Sequence, residues 1–276
     1  MSTTAESAVS PGTRLRGPDR RTTFAWLMVF LAAGAWVALW ALRASPYGRY
    51  GQHGGWGEAG ALAALCSAIP QGDIIVPAAL HASAWVLMIA AMMLPTTYPV
   101  LQVFRRIIAR RPDAGRLTAL VILGFFVAWM AFGLLAHVAD ALLLALARRE
   151  GALIAYGWVI GAAVLAGAGL FQFSALKYRC LEQCHTPFGF VVARWHGRSA
   201  SREAFRLGLD HGLFCVGCCW ALMLVMFVVG MGSLGWMLVL AAVMAAEKNL
   251  PWGRRLRAPL GLGLIGWSAA IVLTNA

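Results

Sequence analysis

Side chains that could bind a soft metal ion are concentrated in one stretch of the sequence, residues 177–226. In a helix, a spacing of four residues puts two side chains on one face, and offsets of 4, 7 and 8 continue a single stripe. The segments CLEQCH and HGLFCVGCCW have these spacings. We therefore predict that two short thiol stripes meet at one site, formed by Cys180, Cys184, His211, Cys215, Cys218 and Cys219.

These residue types favour a transition metal. Thiolate and imidazole ligands select Cu(I), Zn(II) and similar ions. The spacing Cys-x3-Cys followed by Cys-x2-Cys is close to that of a zinc ribbon, but its first pair is one residue too wide. We predict all six residues as metal ligands, with copper preferred to zinc. Three methionines, which are more typical of core filling, are weaker candidates for thioether ligands: Met88, Met92 and Met223.

Nearby charged residues suggest supporting roles. Asp210 precedes His211, and we expect its carboxylate to orient the imidazole. Glu247 and Lys248 close an apolar run, and we interpret them as a solvated pair at a helix end. The sixth cysteine, Cys66, is isolated and is predicted to be a buried, inert side chain.

Two other functions are compatible with these cysteines. In the first, Cys215 and Cys218 act as a membrane thiol–disulfide oxidoreductase, with Cys180 or Cys184 resolving the mixed disulfide. In the second, the cysteines are a structural staple in a subunit or assembly partner of a membrane complex. The sequence contains no recognisable nucleophile motif or carboxylate pair, so we do not predict an enzyme.

The composition is that of a membrane protein. Of the 276 residues, 61% are hydrophobic and 12% are charged, whereas soluble domains average about 45–50% and about 25%. The net charge of +12 could indicate a nucleic-acid partner. However, the arginines form short clusters between apolar runs, which is typical of cytoplasmic membrane loops. We predict a lipid bilayer as the partner, with no nucleic acid.

We predict an all-α transmembrane bundle of about seven spans, with six as the alternative count. Residues 1–22 are expected to be a disordered cytoplasmic tail. Residues 23–276 are expected to form a single membrane domain, with a cytoplasmic cysteine-rich segment at 177–219. The predicted spans are about 24–42, 74–94, 117–147, 152–176, 208–230, 234–246 and 259–274.

The basic residues predict the orientation. All lysines and arginines except Arg43, Arg49, Arg148 and Arg149 fall in segments on one side of this arrangement. Positive charge marks the cytoplasmic side. The N-terminus is therefore predicted to be cytoplasmic, and both cysteine segments lie at the cytoplasmic ends of their helices.

Four blocks of the sequence resemble a known family, called domain of unknown function 2182. They are WVLMIAAMMLPTTYPV, GLFQFSALKYRCLEQCHTPFGF, HGLFCVGCCWALMLVMFVVGMGSLGW and EKNLPWG, and they extend from about Trp85 to Trp252. The resemblance implies a multi-spanning bacterial inner-membrane protein that binds a metal through its cysteines and His211. Our own first hypothesis is a role in metal handling or transport, with a metallochaperone or a membrane complex as partner.

Overall fold

The computed structural model describes residues 20–45, 75–149, 157–229 and 233–275. These residues form helices and short turns, with no β-strand among them, which confirms the predicted all-α fold. Most of the predicted N-terminal tail, residues 1–19, and Cys66 lie outside the described residues.

Ten α-helices are described, together with three short segments of other helical types. A π-helical turn, Ile89–Met93, and a 3-10 turn, Pro95–Thr97, follow α2; a second 3-10 turn, Gly253–Leu256, precedes α10. The α-helices are α1 (Arg20–Ala44), α2 (Ile75–Met88), α3 (Tyr98–Ile107), α4 (Ala114–Arg149), α5 (Gly157–Phe171), α6 (Ala175–His185), α7 (Pro187–Val192), α8 (Ala200–Val229), α9 (Leu234–Asn249) and α10 (Arg257–Asn275).

Between four and six segments of the described chain could cross a membrane, which is fewer than the seven predicted and includes the alternative count of six. Four are single helices within α1, α4, α8 and the end of the chain. Two further candidates are bent pairs, Ala82–Met93 with Pro95–Ile107 at 43°, and Gly157–Phe171 with Ala175–His185 at 61°. The predicted sixth span is α9, whose 16 residues extend only about 24 Å, which is short of a hydrocarbon core of about 30 Å.

Helices α4 and α8 form the main axis of the bundle, and glycines allow their backbones to touch. A Cβ added at Gly208 would overlap the carbonyl oxygen of Val121, and one at Gly124 would overlap that of Phe205. One turn further along α8, a Cβ at Gly212 would lie 2.6 Å from the Cβ of Ala128. Small residues at such a spacing are a common way for apolar helices to approach closely. This crossing fixes the position of α8, which bears most of the thiols.

The break after α2 points methionines into the core. The backbone N–H of Leu94 donates to the carbonyl of Ile89, which is the longer bond of a π-helical turn. Pro95 then interrupts the helix because it has no N–H. The hydroxyls of Thr96 and Thr97 donate to the carbonyls of Met93 and Leu94 at 2.8 and 2.7 Å, so the break is internally hydrogen-bonded. Met93 is fully buried there.

Candidate metal-binding site

The two cysteine segments are both helical, as their spacing predicted, and their helices pack together. CLEQCH forms most of α6, and HGLFCVGCCW lies within α8. Ser174 begins α6 by accepting a hydrogen bond from the backbone N–H of Lys177 at 3.1 Å, which is a standard helix N-cap. Four of the five cysteines belong to one buried cluster and the fifth packs against it: Cys180, Cys215, Cys218, Cys219 and Cys184.

Two of the three thiols on α8 donate to the same backbone carbonyl. The Sγ atoms of Cys218 and Cys219 lie 3.1 and 2.8 Å from the carbonyl oxygen of Cys215, to which they donate. From the neighbouring helix, Cys184 packs against the buried cluster that contains these thiols. Thus α6 and α8 both bring thiols to the same cluster. None of the five described cysteines is in a disulfide.

A buried lysine faces these thiols. The Nζ atom of Lys248, near the end of α9, lies 2.9 Å from the Sγ of Cys215 and 3.7 Å from the Sδ of Met93. Met93 in turn lies 4.0 Å from the Cys219 sulfur. Lys248 is only 4% exposed. We call Met93, Cys184, Cys215, Cys218, Cys219 and Lys248 the sulfur–lysine cluster.

A second buried lysine is paired with a carboxylate beside this cluster. Lys177 Nζ donates to both carboxylate oxygens of Glu247, at 3.0 and 2.8 Å, and to the side-chain oxygen of Gln172. His185 Nε2 lies 2.8 Å from the backbone oxygen of Glu247. These bonds join α6 to α9. The charge of Lys177 is therefore matched by Glu247, whereas the ammonium of Lys248 donates to the sulfur atoms of Cys215 and Met93.

His211 lies one turn before Cys215 on α8, between two aromatic rings. Its imidazole stacks on Phe125 with ring centroids 5.8 Å apart, and meets the ring of Phe190 edge-on at 5.4 Å. Its Nδ1 atom is buried and has no hydrogen-bond partner among the described residues. A buried polar atom without a partner is costly. This nitrogen is therefore available to a ligand.

Comparison with known protein families shows where this chain belongs. The family model for PpoB2, described as a copper chaperone, matches residues 82–271, which is more than half of the chain. The chain belongs to this copper chaperone family. The expectation of a metal-related family is confirmed, although the matching family carries this description and not the label domain of unknown function 2182. No curated protein and no solved structure matches the chain.

The structure brings the predicted ligands only partly together. Within the described part of the chain, no group of three or more His, Cys, Asp or Glu side chains is arranged to hold a metal ion. Cys180 lies on the same face of α6 as Cys184, but its sulfur faces Gly217 of α8. Met88, Met92 and Met223 are buried in the same hydrophobic core as these cysteines. The sulfur atoms of Cys215, Cys219 and Met93 are linked by short contacts, directly or through the Lys248 ammonium.

Two interpretations of the charged residues were wrong. Asp210 does not orient His211; its carboxylate is 44% exposed and accepts a hydrogen bond from Arg194 Nε at 3.0 Å. Glu247 and Lys248 are not solvated, because only 2% and 4% of their surfaces are exposed. The sequence signal for their burial was present, since a charged pair directly after an apolar helix is costly unless it serves a site.

Proposed function

We propose that this protein binds Cu(I) as cargo through the thiols of Cys184 and Cys218, in a membrane-embedded copper-handling role. The observation that carries the proposal is that thiols from two helices meet in one buried cluster, with Cys184 of α6 packed against the cluster that contains Cys218 of α8. Cu(I) is a soft ion and prefers thiolate ligands. The family to which the chain belongs is described as a copper chaperone. Cys215 and Cys219 are the next donors, and Met93 and His211 are neutral donors at the edge of the site.

Copper is preferred to zinc because of the number of ligands. A structural zinc site takes four ligands in a tetrahedron, and no group of even three such ligands is preformed among the residues described. Two thiolates complete a linear Cu(I) site. Cys180 remains a candidate ligand, since its sulfur lies against Gly217, the residue before Cys218.

We also propose that the protein is located in a bacterial inner membrane, with its N-terminus in the cytoplasm. Support comes from the four to six membrane-capable segments and from the uneven distribution of basic residues. The cysteine segments would then receive copper from the cytoplasmic side, from a soluble metallochaperone or a membrane-complex partner. Reporter fusions at the N-terminus and near residue 150 test this orientation. Opposite locations support it, with the N-terminus inside, and a periplasmic N-terminus would contradict it.

The copper proposal is tested by competition titration of detergent-purified protein with a Cu(I) chelator under reducing conditions. The double substitution Cys184→Ser/Cys218→Ser should lower Cu(I) affinity by at least about tenfold, because it removes both primary thiolates. Cys66→Ser is the matched control, since it removes one thiol outside residues 177–226. Equal affinities for the double variant and the wild type would refute the assignment of these ligands.

A further inference from the structure

Lys248 has a charge that its surroundings do not balance in the ordinary way. Its ammonium group is buried, and it contacts the Cys215 and Met93 sulfurs at 2.9 and 3.7 Å. The neighbouring carboxylate of Glu247 is already bonded to Lys177 through both of its oxygens. A buried charge is tolerated when it is paired. The sulfur cluster is therefore the place where a balancing negative charge is needed.

We propose that Lys248 is the counter-ion of a Cu(I) dithiolate, and that it makes the site select a monovalent over a divalent soft ion. The inference rests on the proposed copper function. The Lys248 ammonium contacts the Cys215 thiol directly, and Cys184, Cys218 and Cys219 belong to or pack against the same buried cluster. Lys248 is therefore placed to balance a dithiolate formed by any two of these four thiols.

The net charge of the occupied site differs between a monovalent and a divalent ion. When Cu(I) binds two thiols, two Cu–S bonds form and two protons leave, so the centre carries one net negative charge. The ammonium of Lys248 brings the total to zero. Hg(II), which also forms linear dithiolate complexes, gives a neutral centre and leaves the lysine charge unbalanced. In a buried site of low dielectric constant, this difference of one charge favours the monovalent ion.

The contacts around Lys248 support a role at the thiol cluster rather than in holding α6 against α9. The bracing contact between α6 and α9 is made by Lys177, Glu247 and His185. The side chain of Lys248, the residue after Glu247, contacts the sulfur atoms of Cys215 and Met93 instead. The chain turns back after α9, and Gly253 packs so closely against the helix end that an added Cβ would overlap the carbonyl oxygen of Ala246.

The experiment measures Cu(I) and Hg(II) affinities of the full-length detergent-purified protein by chelator competition. Wild type is compared with Lys248→Met, Lys248→Gln and Lys248→Arg. Both neutral variants should lose about 10–100-fold in Cu(I) affinity, the range for loss of a group that supports a metal ligand, and much less in Hg(II) affinity. Lys248→Arg retains the charge and should keep the wild-type ratio of the two affinities.

The outcomes separate the two proposals. If the wild type binds neither ion, the copper site itself is refuted and this inference falls with it. If the wild type binds Cu(I) but a neutral variant loses Cu(I) and Hg(II) affinity equally, Lys248 is only structural and the counter-ion assignment is wrong. The glutamine variant retains a hydrogen-bond donor, so the affinity ratio can still be measured if Lys248→Met does not fold.

Discussion

Cys180 and Gly217 lie at the point where the two cysteine-bearing helices touch: a Cβ on Gly217 would be 2.6 Å from the Cys180 sulfur. The absence of a side chain at residue 217 therefore lets α6 approach α8. This closeness lets Cys184 of α6 pack against the buried cluster that contains Cys218.

Substituting this glycine should weaken metal binding. Gly217→Ala forces the Cys180 sulfur or the whole of α6 to move outward, so we expect about a tenfold loss of Cu(I) affinity, comparable to the loss of a supporting group. Gly167→Ala on α5 is the control, since an added Cβ there meets no atom within 4 Å. Chelator competition measures both. Unchanged copper affinity in Gly217→Ala would show that the spacing of α6 and α8 is not critical.

The buried pair of Lys177 and Glu247 should be important for stability. Glu247→Gln leaves the Lys177 ammonium buried without its carboxylate, which typically costs about 3–5 kcal/mol of unfolding free energy. Adding Lys177→Met to this variant should recover a large part of the loss. Thermal unfolding in detergent measures the effect.

Asp113→Asn provides the control for this pair, because Asp113 forms an exposed ion pair with Arg111. Exposed pairs contribute little to stability, so no measurable change is expected. A similar stability for Glu247→Gln and wild type would mean that water or another group satisfies Lys177.

The contact between α4 and α8 should not tolerate even a methyl group. Gly208→Ala places a Cβ against the backbone of Val121, and such overpacking typically costs about 1–3 kcal/mol. Gly34→Ala in α1 adds the same methyl group in open space, where replacing glycine in a helix is neutral or stabilising. Unfolding temperatures of the two variants give the comparison. Equal values would contradict the close approach of the two backbones.

His211 allows metal binding to be separated from stability. His211→Leu removes a buried Nδ1 atom that has no partner, so the unfolding temperature should stay the same or rise. If the imidazole is a ligand, Cu(I) affinity should nevertheless fall. Measuring both quantities on one preparation tests this. A fall in stability with unchanged copper affinity would identify His211 as a packing residue held by Phe125 and Phe190.

The sequence predicted the helical positions of the cysteines better than the partners of the charged residues. Helical spacing placed Cys215 and Cys219 on one stripe, and the structure confirms it because both sulfurs lie on the buried face of α8. This succeeds because the period of a helix is a local property of the backbone. The position of Met93 depends on a π-helical turn and a proline break, which spacing alone does not reveal.

Long-range partners could not be predicted from local patterns. Lys177 was counted with the cytoplasmic basic residues, yet it is fully buried against Glu247, seventy residues away. Lys248 and Cys215 are separated by 33 residues. Such pairs depend on how α6, α8 and α9 pack together. The described residues hold four to six candidate spans, fewer than the seven predicted, for a related reason: composition identifies an apolar run but not its bends.

We propose above all that this protein carries copper on the thiols between α6 and α8. The most direct test is elemental analysis of the reduced, detergent-purified protein after loading with Cu(I), combined with counting of free thiols. Wild type should retain near-stoichiometric copper and little zinc, and Cys215→Ser/Cys218→Ser/Cys219→Ser should lose it. A wild type that remains metal-free after loading, with fewer free thiols than its six cysteines, would contradict the account and favour a thiol–disulfide oxidoreductase.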